Sequence, residues 1–178
     1  MLSFCIAANA GSFTANMTGS LEIPPNASSA TGFATLTLVA DSLTVDESFT
    51  GLIGGVASAA HIHCCVPVGT NTGVAVGFPG FSATTSGTYL HTFDLLDSTI
   101  YSPTFLTSSG GTAAGAEAAL IAGLNAGMAY VNIHDATFPG GEIRGNLTAA
   151  IPEPSTAWLA FAGLLGTLGY RRLRRARI

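Results

Sequence analysis

Lysine is absent from this sequence, and of its six basic residues, all arginine, only Arg144 lies before position 171. Between Gly11 and Ala150 that one base stands against nine acids, Glu22, Asp41, Asp46, Glu47, Asp94, Asp97, Glu117, Asp135 and Glu142, an excess of eight negative charges. Such a surface repels a phosphate backbone, which excludes nucleic acid as a partner. Missing too are a Gly-x-Ser-x-Gly nucleophile elbow, a Gly-rich phosphate loop and a calcium loop, so a binding or structural role is expected rather than an enzyme.

What is present is small and turn-forming. Only 9% of the 178 residues carry charge, whereas Gly, Ala, Thr and Ser abound. This composition suits a β-sandwich, and the roughly 140 residues between the two ends suffice for one domain with one core. Phe13, Ala15 and Met17 alternate with polar neighbours, as do residues 33 to 39 and 43 to 49, with a hairpin turn expected at Asp41-Ser42. Val66 to Ser86 reads as a long surface loop holding one short strand. Ser102-Pro103 should start a short helix, and Thr112 to Leu124 a second one closed by Asn125-Ala126-Gly127. The fold expected for 11–150 is therefore mainly β, an antiparallel Greek-key-like β-sandwich with one or two short helices.

Reactive groups concentrate in Ala60-His61-Ile62-His63-Cys64-Cys65, and half of that pattern returns in Tyr130-Val131-Asn132-Ile133-His134. On strands, alternation puts His61, His63 and Cys65 on one face, and Tyr130, Asn132 and His134 on one face of the second segment. If the strands pair, three imidazoles and a thiol gather in one cluster. Neutral imidazoles bind zinc or copper at ~2.0–2.1 Å, which makes His61, His63 and His134 a candidate metal site, with Cys65 available as a further ligand. The other reading needs no cofactor: the histidines and Asn132 form a hydrogen-bonded network between two strands. On sequence alone the network is preferred.

Adjacent strand residues point to opposite faces, so Cys64 and Cys65 cannot bridge each other without distorting the strand. A vicinal disulfide in a bulged turn, an intermolecular bridge and metal ligation by Cys65 all stay open. Glu142 and Arg144 share one face of the last strand, and a structural ion pair is expected there, since a guanidinium among apolar strands is costly without a carboxylate. Asp135 is the alternative partner.

The two ends read as addresses. Residues 1–10 carry a short apolar run ending in Ala8-Asn9-Ala10, a small-x-small cleavage pattern that predicts the remnant of a secretory signal whose start lies upstream. At the other end, 151–178, Ile151-Pro152-Glu153-Pro154-Ser155-Thr156 breaks regular structure, Ala157 to Tyr170 is apolar and uncharged, and five arginines follow. A C-terminal transmembrane helix is expected, with the arginines cytoplasmic and the domain outside. This tail resembles the PEP-CTERM sorting signal, with Pro152, Glu153 and Pro154 in the place of its motif. The resemblance implies an exosortase and the export machinery as partners, membrane anchoring through the helix before processing, then release to the cell surface or extracellular space. It further implies a setting of bacterial exopolysaccharide.

Within the domain, Leu21-Glu22-Ile23-Pro24-Pro25, Ala30-Thr31-Gly32-Phe33-Ala34, Ala60-His61-Ile62-His63, Ala129 to His134, and Phe138-Pro139-Gly140-Gly141-Glu142-Ile143-Arg144-Gly145 occur in an order and spacing that resemble the CHRD domain, from about Phe13 to Leu147. The resemblance implies a β-rich secreted module and names no reaction. Cys64-Cys65 departs from it, since a small residue is expected after the second histidine.

Overall fold

A computed structural model describes residues 10–150. The signal remnant, apart from Ala10, and the sorting tail with its expected membrane helix lie outside them. Among the described residues no helix is long and apolar enough to cross a membrane.

Within residues 10–150, nine strands, β1 (Ala10–Thr18), β2 (Thr31–Val39), β3 (Ser42–Thr50), β4 (Ala59–Cys64), β5 (Val74–Gly77), β6 (Gly87–Asp94), β7 (Ala129–His134), β8 (Ile143–Asn146) and β9 (Thr148–Ala149), form one antiparallel sheet, with α1 (Pro103–Ser108) and α2 (Ala113–Asn125) beside it. The order is β5-β4-β7-β8-β1-β2-β3-β6, with β9 also on β1. The expected sandwich of two sheets is thus corrected to a single sheet that curls on itself. Its continuity comes from the length of β1, which pairs with β2 throughout and on its other side meets β9 at Phe13 and Thr14 and β8 at Thr18 opposite Arg144. The curl brings the two ends of the sheet together through side chains: Phe78, just after β5, stacks on Tyr89 of β6 with ring centroids 5.0 Å apart.

Alternation builds the interior as the sequence pattern requires. Phe13, Ala15 and Met17 of β1, Ala34, Leu36 and Leu38 of β2, and Leu43, Val45 and Phe49 of β3 are all buried, each large side chain contributing ~1.5–3 kcal/mol of transfer free energy. One inward position breaks the pattern. Glu47, between Val45 and Phe49, is 0% exposed and neither carboxylate oxygen has a partner.

The β2–β3 hairpin turns one residue earlier than expected. Val39 pairs with Ser42, which leaves Ala40-Asp41 as the turn, and Ala40 takes φ 51°; two-residue hairpins need such left-handed geometry to match strand twist. Both helices start at the expected caps, with Ser102 Oγ accepting from Phe105 N at 3.2 Å and Thr112 Oγ1 from Gly115 N at 3.1 Å.

Candidate functional site

β4 and β7 are antiparallel neighbours whose register sets His61 opposite Asn132 and His63 opposite Tyr130. β8 flanks β7 on its other side, with Arg144 opposite Asn132. The polar residues therefore share one face of three strands, while Ile62, Val131, Ile133 and Ile143 fill the core behind them. The turn-rich segment expected to be a plain surface loop folds over this face through Thr70, Asn71 and Thr72.

One ligand atom from each of His61, His63 and His134 lies within 4.8 Å of the others. His61 Nδ1 is 3.1 Å from His134 Nε2. The opposite nitrogen of two rings is tied to backbone: His63 Nδ1 donates to Thr72 O at 2.8 Å and His134 Nδ1 donates to Pro139 O at 3.0 Å. Because a carbonyl can only accept, these bonds fix the proton on Nδ1 and leave Nε2 of both rings as a lone pair. A metal-ligating histidine is oriented in this way. Burial pushes His61 down to about 4, with His134 and His63 adding to the fall. It lowers His63 and His134 as well. All three rings are thereby held neutral near pH 7, the form that binds a metal ion.

Cys65 does not join the cluster. It forms a disulfide with Cys64, and the two sulfurs lie against Gly123 of α2, with Cys65 Sγ 3.4 Å from Ala119 O. The open alternatives thus resolve to a vicinal disulfide, and the alternation that would have placed Cys65 beside His63 ends with the strand at Cys64.

The expected ion pair between Glu142 and Arg144 is corrected too. Glu142 precedes β8 and turns toward a different loop, where its carboxylate accepts from Ser28 Oγ at 2.5 Å, Ile53 N at 2.8 Å and Gly54 N at 3.2 Å. Burial raises its pKa, and the neighbouring Asp135 carboxyl raises it further. Arg144, 1% exposed, donates to Asn71 Oδ1 at 2.8 Å and Thr70 O at 2.9 Å, and its guanidinium lies 3.3 Å from the centre of the Tyr130 ring. The carboxylate that acts on it is Glu22. Sequence reasoning missed Glu22, Asn71, Thr72 and the Pro139 carbonyl, because loop residues carry no periodicity and their approach is set by tertiary folding.

The arrangement can hold a borderline metal through three nitrogens. No curated protein and no solved structure matches the chain. Residues 150–175 match the PEP-CTERM protein-sorting motif, which marks a protein for export to the cell surface through an exosortase-type system. Residues 13–147, which take in every strand that builds the histidine face, match the CHRD domain model, and the chain belongs to that family.

Proposed function

We propose that this chain is an exported, non-catalytic binding module of the bacterial cell surface that holds one zinc or copper ion through His61, His63 and His134. Two ends serve its delivery: a secretory signal at residues 1–10 and a tail processed near Pro152-Glu153-Pro154 after transient anchoring by the apolar segment. An exopolysaccharide matrix is the setting that such sorting favours. The observation that carries the metal reading is the pair of backbone carbonyls, Thr72 O and Pro139 O, that turn the free Nε2 lone pairs of His63 and His134 inward.

Metal analysis of the purified full chain tests it. One equivalent of zinc or copper is expected, and chelation should lower the melting temperature, since an ion that binds only the folded state adds about 2.7 kcal/mol at a hundredfold excess over Kd. His134→Ala should lose both the metal and the chelator effect. A metal-free chain indifferent to chelator and to added zinc or copper would return the histidines to a structural network.

A further inference from the structure

Asn132 sits in the middle of the histidine face, opposite His61 and two residues before His134 on the same side of β7. It is 2% exposed. Its amide has only one workable orientation: Nδ2 faces Gly140 O at 3.5 Å and the Glu22 carboxylate, which crowds the same side of Gly141. Rotating the amide would set Oδ1 against a carbonyl and a carboxylate, an all-acceptor contact. The oxygen therefore points to the cluster, where it lies 3.0 Å from His63 Nε2.

That contact does not close as a hydrogen bond in a neutral site. His63 already spends its single proton on Thr72 O, so Nε2 and Oδ1 are two acceptors facing each other inside a buried patch. An ion between them removes the conflict. For metal–donor bonds of ~2.0–2.1 Å, neighbouring donors stand about 2.9 Å apart at a right angle and about 3.3 Å apart at the tetrahedral angle. The separations of 3.0 Å for His63 Nε2 and Asn132 Oδ1, and 3.1 Å for His61 Nδ1 and His134 Nε2, fall within that span.

We infer that Asn132 Oδ1 is the fourth donor of the metal site, so that the set is three imidazole nitrogens and one amide oxygen. The inference rests on the three-histidine reading. Glu22 acts as the positioning residue, holding the amide so that its oxygen faces the ion. A set without thiolate, the Cys64 and Cys65 sulfurs being bonded to each other, selects divalent zinc or cupric ion over cuprous ion.

The test uses the full chain titrated with Zn2+ by calorimetry and loaded with Cu2+ for electron paramagnetic resonance. Asn132→Ala should weaken Zn2+ binding by ~10–100-fold or more, whereas Asn132→Asp, whose second oxygen takes the place of Nδ2 against Gly140 O and Glu22, should still bind the ion. In Asn132→Asp the Cu2+ hyperfine splitting should also shift, because a carboxylate replaces the amide oxygen on the metal. That shift is the deciding reading, and it stands even if the alanine variant fails to fold. An unchanged Cu2+ spectrum in Asn132→Asp, with or without weaker binding in Asn132→Ala, overturns ligation by Asn132 and leaves the three-histidine site intact. A wild-type chain that takes up neither ion overturns both.

Discussion

The His63 ring lies parallel to that of Tyr130, with centroids 4.6 Å apart and an interplanar angle of 1°. Since β7 runs between β4 and β8, the Arg144 guanidinium covers the other face of the same tyrosine, 3.3 Å from its centre. The three side chains form a layered stack of imidazole, phenol and cation. Tyr130 gives its π-face to a permanent charge on the Arg144 side.

Arg144→Lys should show that this guanidinium is not replaceable by another positive charge. An ammonium cannot reach Asn71 and Thr70 with a planar fork while covering the tyrosine, and hydrogen bonds from a charged donor contribute about 1.5–3 kcal/mol. Urea denaturation of the full chain should register a loss on the order of 2–3 kcal/mol. Wild-type stability in the variant would mean that the charge alone matters.

Glu47 predicts how stability depends on pH. Burial raises its pKa from 4.5 to about 8, so the folded chain keeps a proton that the unfolded chain releases. Its favourable term is full below about pH 4.5 and declines, by up to about 1.4 kcal/mol per pH unit, as pH rises toward 8. Glu47→Leu should flatten that decline and stabilise the domain most at pH 8 and above. Denaturation midpoints of the two proteins at pH 5, 7 and 9 check it; parallel profiles would mean that Glu47 ionises no differently in the folded chain.

A methyl group added at Gly123 would strike the sulfurs of both Cys64 and Cys65, whereas one added at Gly140 meets nothing within 4 Å. Overpacking of this kind costs ~1–3 kcal/mol. Gly123→Ala should lower the melting temperature by several degrees, and Gly140→Ala should leave it nearly unchanged. Equal melting temperatures would show that the helix can move off the disulfide.

Replacing Pro152, Glu153 and Pro154 by alanine should leave the chain unprocessed in the membrane of a host containing an exosortase. A periplasm-active reporter fused before Ile151 should be active, and one fused after Ile178 should not. Processing that continues unchanged would remove these three residues from the recognised signal.

The site was legible in the sequence where it depends on strand period. His61 and His63 on one strand and Asn132 and His134 on another share a face because side chains alternate, and no tertiary detail is needed to see it. Which ring nitrogen carries the proton was not legible, because that is set by the carbonyls of Thr72 and Pro139 in loops without pattern. The sheet was legible as antiparallel and β-rich, but its continuity depends on one long strand reaching two partners. Glu47 occupies a position where alternation demands an apolar residue, and its single charge was counted with the surface acids for want of any local sign of burial.

The bond between Cys64 and Cys65 spans a sequence separation of one, so as a crosslink it encloses almost no chain. A disulfide in the loop-entropy picture stabilises by shrinking the unfolded ensemble, and the effect grows with the length of chain that it ties off. Here that length is nearly nil, and the unfolded chain is scarcely smaller with the bond than without it. What the bond changes is shape: it converts two thiols into one compact apolar ring that fits the notch left by Gly123 and sets where β4 stops, one residue past His63. The cystine thus works as a spacer between strand and helix, and its loss would be felt as altered packing rather than as a looser denatured state.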